Sequence, residues 1–193
     1  MADSQAPSRR ALTAKLWLGY GTAVAAGLMA IGHATGIARS HGLDTWQVLA
    51  APITVALFNM TGSLLGGWLA DRMSVRSMLA AYPAISMVAL VFLALSDGGP
   101  AVLSGLAVIG FTYGAIIAAY PASIASLVGA VAGVKVYGRV FTAWGAAGLL
   151  APWFAGYLFE RSGGYTTALV VAGATALLSL LAALTLPHKA RSF

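Results

Sequence analysis

Gly66-Gly67-Trp68-Leu69-Ala70-Asp71-Arg72-Met73-Ser74-Val75-Arg76 gathers an acid and two bases in a chain whose 193 residues contain only 11 Lys and Arg and 5 Asp and Glu. Charge-free apolar runs, 45–70 and 77–96, lie on either side of this island. At a rise of about 1.5 Å per residue, about 20 helical residues cross the ~30 Å hydrocarbon core of a bilayer, so each run is long enough to span it. The stretch therefore reads as a tight turn joining two membrane helices, with small residues just ahead of the charges. A weaker copy, Gly156-Tyr157-Leu158-Phe159-Glu160-Arg161, follows 89 positions later.

The whole chain has the same character. Sixty per cent of its residues are apolar, 8% are charged, and its mean hydropathy is +0.86, whereas a soluble domain carries about a quarter charged residues. This composition predicts a multi-pass membrane protein whose first partner is the lipid bilayer. The net charge of +6 reflects loop placement relative to the membrane, not nucleic-acid binding. With no cysteine, there is no disulfide framework, thiolate metal site or cysteine nucleophile.

Charge-free runs predict helices near 16–38, 46–70, 77–96, 101–129, 138–159 and 165–186, giving six transmembrane spans. A polar tail over 1–15 precedes them and a short tail over 187–193 follows, both expected in the cytoplasm. The first run is about twice the length of a signal-peptide core and reads as a retained helix. No segment alternates as a barrel strand would. With the N-terminus inside, Arg9, Arg10, Lys15, Arg72, Arg76, Lys135, Arg139, Lys189 and Arg191 all fall on the inner side. Only Arg39 and Arg161 fall outside, a strong positive-inside asymmetry.

Shifting the chain by 89 residues lays the first three runs over the last three. Three spans is an odd number, so the second triplet must run inverted through the membrane. Inverted three-helix repeats are a common construction of secondary transporters, which hold substrate near the midplane where the repeats meet.

The stretch from Gly67 to Arg76 resembles the loop signature of the major facilitator superfamily, Gly-x-Leu-Ala-Asp-Arg-x-Gly-Arg-Arg/Lys, with Ser74 in place of the usual glycine and Val75 in place of a base. Two further stretches resemble the seventh and eleventh helices of its oxalate:formate antiporter-like branch of carboxylate carriers. They are Gly27-Leu28-Met29-Ala30-Ile31-Gly32-His33-Ala34 and the run from Tyr137-Gly138-Arg139 to Pro152. The resemblance covers about 16–186 and implies the C-terminal six-helix half of such a carrier. It also implies a second six-helix half, separately encoded or supplied by another copy of the chain, and a location in a bacterial inner membrane. That branch uses a basic residue in its eighth helix and another in its eleventh to hold a dicarboxylate. No Lys or Arg lies between Asp44 and Asp71 or between Arg139 and Glu160, which turns the expectation from oxalate toward a monocarboxylate-like organic anion.

Individual residues sharpen these expectations. In the loop, Gly67, Asp71, Arg72 and Arg76 form a candidate gating latch. An acid can accept from a helix N-terminus and bases can face carbonyl ends, and Gly156, Glu160 and Arg161 repeat the pattern. His33 is the one histidine placed within a span, where an ionisable side chain is costly and faces protein or water; it is a candidate substrate-binding residue able to donate to a carboxylate, with a bond to a neighbouring helix as the alternative. Asn59, Tyr113, Tyr120 and Trp144 offer amide, phenol and indole donors on helices that line the central cavity in the resembled family. Interhelical bonding is the plainer role for each of them. The spacings Gly32/Gly36, Gly62/Gly66, Gly110/Gly114 and Gly129/Gly133 predict close helix packing, and Pro52, Pro83, Pro121 and Pro152 predict kinks. No acid cluster, metal spacing or activated nucleophile is present, so neither enzyme nor cofactor is expected. The leading expectation is half of a secondary transporter working by alternating access. The alternative is a transport-inactive scaffold derived from one.

Overall fold

The computed structural model describes residues 9–187, so the predicted tails over 1–8 and 188–193, including Lys189 and Arg191, lie outside the described residues. Seven helices and no strands follow in order among the described residues: α1 (Arg9–Ile31), α2 (Ala34–Ser40), α3 (Thr45–Ala70), α4 (Val75–Leu95), α5 (Gly99–Val128), α6 (Ala130–Ser162) and α7 (Thr166–Leu184). Side chains set several of the boundaries. Asp44 and Gln47 form a reciprocal capping box at the start of α3, and Ser74 accepts from the Ser77 amide to cap α4. Ser74, the departure from the family signature, thus gains a role that glycine lacks. Gly163, in the left-handed region at φ 74°, closes α6.

Three predicted boundaries are corrected. Helix α1 is already formed at Arg9, the first described residue, well ahead of 16, and α6 begins at Ala130, not near 138. Lys135 and Arg139 therefore stand on a helix. The predicted first helix, 16–38, is two helices. Its regular ladder ends with the Gly32 amide on the Leu28 carbonyl (3.0 Å), after which the His33 amide turns back to Ala30 (3.1 Å). A Cβ at Gly32 would lie 3.3 Å from the Pro152 side chain, so the break falls at a close approach of α6. Pro121 does not divide α5, which runs unbroken on both sides of it.

Five helices, α1, α3, α4, α5 and α7, are long and apolar enough to cross a membrane. At 33 residues α6 has the length to do so, but its charge-free centre is diluted by Gly, Trp, Tyr and Pro. The helices pack in related pairs: α3 lies on α5 and α6 on α1, while α1 lies on α7 and α5 on α4. The pairs α4–α7 and α1–α5 each map onto themselves when the first three long helices are exchanged with the last three, whereas α5 also lies on α6 with no comparable α1–α3 contact.

The core has two layers along the bundle axis. One holds Leu12, Leu16, Ala70, Val75, Met78 and Ile124, and the other holds Ile37, Val48, Leu93, Val102, Ala155 and Leu169. The ends of the elements that supply the first layer carry Arg9, Arg10, Lys15, Arg72, Arg76, Lys135 and Arg139, and those near the second carry Arg39 and Arg161. Lys15 Nζ lies 3.5 Å from the Thr185 carbonyl, so α1 begins where α7 ends.

Candidate functional site

Where α1, α5 and α6 meet, aromatic side chains converge. Tyr137, Phe141 and Trp144 recur at i, i+4 and i+7 on one face of α6, and Tyr113 and Tyr120 lie seven apart on α5. Opposite them, α1 contributes Tyr20, which is fully buried. Its ring packs 4.4 Å from Tyr120 and 6.5 Å from Phe141. Phe141 stacks on Trp144 at 5.3 Å with the rings nearly parallel, and the Trp144 indole donates to the Tyr113 hydroxyl at 3.1 Å. Gly27 makes room for Tyr113, since a Cβ there would fall 2.7 Å from Cδ2 of its ring. The predicted candidates Tyr113, Tyr120 and Trp144 are therefore brought together. Tyr20, Tyr137 and Phe141 were not among the predicted site residues. The heptad-like spacing on α6 is the signal that reaches the last two, while a lone phenol in a charge-free run gives Tyr20 no distinguishing mark.

The Tyr20 hydroxyl is buried and makes no well-formed hydrogen bond among the described residues; the Tyr137 phenol is within weak hydrogen-bonding reach, and the Tyr113 and Tyr120 phenols lie nearby. An unmade bond at a buried hydroxyl costs about 1–3 kcal/mol, so such a group marks where a water or ligand oxygen is welcome. Phe141 is 40% exposed, so the cluster is open along α6. Chemically it presents neutral O–H and N–H donors in an apolar wall.

The other candidates do not join this cluster. His33 stands in the α1–α2 break toward the opposite end of the bundle, with both ring nitrogens engaged. Nε2 lies 2.9 Å from the Pro152 carbonyl and Nδ1 3.2 Å from the Tyr165 hydroxyl. A carbonyl only accepts, so Nε2 carries the proton, and in the neutral ring Nδ1 accepts from Tyr165. Burial pushes the Tyr165 phenol above its usual value, which keeps its proton available for that bond. The contact joins α1 and α2 to α6 and α7. Asn59 lies in the α3–α5 seam, where its backbone and amide press on Gly114. Ser63 Oγ donates to the Asn59 carbonyl at 2.9 Å, and the Asn59 side chain makes no hydrogen bond within the described residues.

In the charged turn, Asp71 is the C-cap of α3. Arg72 lays its guanidinium 3.8 Å from the Trp68 ring centroid and donates to the Trp68 carbonyl at 3.2 Å. It thereby faces a helix C-terminus, where the dipole favours a cation. Arg76 lies in the first turn of α4, and Gly67 meets nothing that a Cβ would touch. In the weaker copy, Arg161 stands over Tyr157 at 5.3 Å, again an arginine over the aromatic residue four positions earlier. Trp68 and Arg72 correspond to Tyr157 and Arg161 under the 89-residue shift. Glu160 is exposed on the last turns of α6, and Gly156 lies beside the His33 ring, 3.6 Å from it to a built Cβ. Among the described residues, no group of His, Asp and Glu could hold a metal ion.

Comparison with known proteins adds the family. The profile of the Major Facilitator Superfamily matches residues 11–192. The chain belongs to the Major Facilitator Superfamily. As a superfamily member with five helices that qualify as spans, it is a multi-pass integral membrane protein. It is also 28% identical over 155 residues to monocarboxylate transporter 13 of Rattus norvegicus, a match that takes in 74% of this chain and 35% of that protein. The superfamily chain thus spans about a third of the length of the relative it matches.

Proposed function

We propose that the chain forms one wall of a transport pathway for a small organic anion of the monocarboxylate class. The observation that carries the reading is the buried Tyr20 hydroxyl, without a well-formed hydrogen bond, beside the Tyr113–Trp144 pair. It offers a carboxylate neutral donors without a fixed charge. The similarity to a rat protein named for monocarboxylates supports that substrate class. The motif-level resemblance to oxalate:formate antiporter-like carriers agrees with a carboxylate, while the lack of a cation in the centres of α3 and α6 argues against a doubly charged one.

In this reading α6 is a sixth span, and the six spans form two inverted triplets with both ends of the chain in the cytoplasm. The mirrored helix pairings and the two arginine-over-aromatic contacts support this. Broad apolar faces on α3 and α6 then meet lipid or a second six-helix unit across a shared cavity. That unit comes from the same polypeptide, from a separate chain in the same bacterial inner membrane, or from a second copy. It supplies any cationic group that the substrate requires. Asp71, Arg72 and Arg76, with Glu160 and Arg161 at the other end, act as latches that form and part as the halves rock between inward- and outward-open states. His33 tethers the outer ends of α1 and α6, and Asn59 packs in the α3–α5 seam with its amide on α5.

The missing cation also fits a transport-inactive scaffold, and uptake separates the two readings. With its second half present, saturable entry of short monocarboxylates but not dicarboxylates is expected. Tyr20→Phe should raise KM about tenfold or more, since a hydrogen bond to a charged acceptor contributes about 1.5–3 kcal/mol. A complex that moves no monocarboxylate overturns the transport reading, and one that transports but is indifferent to Tyr20→Phe overturns the role of Tyr20 in it.

A further inference from the structure

Two grooves on the outer side of the α1–α6 pair share a wall at Trp17. The first, about 420 Å³, is almost wholly apolar and runs along Leu18, Ala25, Met29, Leu150 and Phe154, with Val171 of α7 at its edge. The second, about 520 Å³, opens at the helix starts and is lined by Arg9, Arg10, Lys135 and Arg139, with no acidic residue in its wall. The two helices run parallel. The Trp17 indole donates to Thr142 at 3.0 Å near their starts, and His33 meets Pro152 farther along. Four cations from two helices are thereby held at one level beside a tryptophan, with an apolar trough leading away from them.

We infer that this composite groove is a binding site for an anionic phospholipid of the inner leaflet, its headgroup phosphate on Arg10, Lys135 and Arg139 and an acyl chain in the trough. The dimensions agree. From Trp17 to Met29 the helix rises about 18 Å at 1.5 Å per residue, close to one leaflet of a ~30 Å hydrocarbon core. The indole sits at the boundary, as interfacial tryptophans do. Clustered bases at the cytoplasmic face recognise anionic headgroups, whereas a soluble anion would leave the trough unused. The inference rests on α6 crossing the bilayer beside α1, as proposed above.

The test reconstitutes variants that retain a single tryptophan, Trp17 or Trp153, in vesicles of brominated phosphatidylglycerol or brominated phosphatidylcholine and measures fluorescence quenching. Stronger quenching of Trp17 by phosphatidylglycerol is expected. Lys135→Gln and Arg139→Gln should each cut that preference about fivefold, while Arg39→Gln, at the opposite end of the bundle, leaves it intact. Millimolar inorganic phosphate should not compete. Equal quenching by both lipids, or displacement by phosphate, overturns the lipid site. Failure of either lipid to quench Trp153 would instead show that α6 lies outside the bilayer, which removes the six-span reading and the lipid site with it.

Discussion

The α3–α5 and α1–α6 seams exchange places under the 89-residue shift of the sequence, yet they are built from different materials. In α3–α5, glycine meets backbone. A Cβ on Gly62 would run into the Phe111 carbonyl, one on Gly114 into the Asn59 carbonyl, and one on Gly66 would stand 2.6 Å from the Ala115 Cα. In α1–α6 the contact stripe is alanine, with Ala143, Ala147, Ala151 and Ala155 buried in sequence. Bridging bonds from Trp17 and His33 span this seam. Glycine gives the shortest interhelical distance and a fixed depth. Alanine with polar bridges gives contacts that can break singly. The first seam is suited to hold and the second to move, which matches the placement of the phenol–indole cluster beside the second.

The difference is open to measurement. The largest effect is expected from Gly62→Ala, which must force the α3 and α5 backbones apart. A loss of about 1–3 kcal/mol, the usual cost of overpacking, should appear as a lowered thermal midpoint of the purified protein in detergent. An unchanged midpoint would mean that the backbones are not in contact. His33→Ala should have a smaller effect. Each bridging bond within a membrane contributes about 0.6 kcal/mol and at most about 1.7, so about 1–2 kcal/mol is expected, with His33→Gln recovering part of it through one remaining bond. Full stability in His33→Ala would remove its tethering role. The smallest effect, and one of opposite sign, is expected at Gly145 on α6, where an added Cβ meets nothing within 4 Å. Gly145→Ala should gain up to about 1 kcal/mol from helix propensity, and a loss there would reveal a partner surface pressed against that face.

Much of this was legible in the residues. Long charge-free runs mark helices because lipid leaves the backbone no other way to satisfy its polar groups. The spacings Gly62/Gly66 and Gly110/Gly114 announced the seam that they form. The interruption at Gly32–His33 was not legible, since no charge or proline marks it, and the residue packed against it, Pro152, lies on a helix far along the chain. The extension of α6 back to Ala130 was hidden for the opposite reason: Lys135 and Arg139 resemble loop charges until α1 is seen to bring Arg9 and Arg10 beside them. At the candidate site, Tyr113, Tyr120 and Trp144 could be singled out one by one for their donors. Tyr20 could not, because its distinction is a bond that it lacks, and that depends on every neighbour.

One residue separates α5 from α6. Gly129, at φ 85°, is the whole connection, and Gly133 folds back against the Ala125 backbone, where a Cβ would sit 3.1 Å from its Cα. A longer loop would let each helix slide along its axis independently of the other. Here there is no slack, so an axial displacement of α5, gripped by α3, is delivered to the start of α6 undiminished, as a crank delivers its stroke. The rigid seam and the changeable one are therefore geared together through a single pair of dihedral angles.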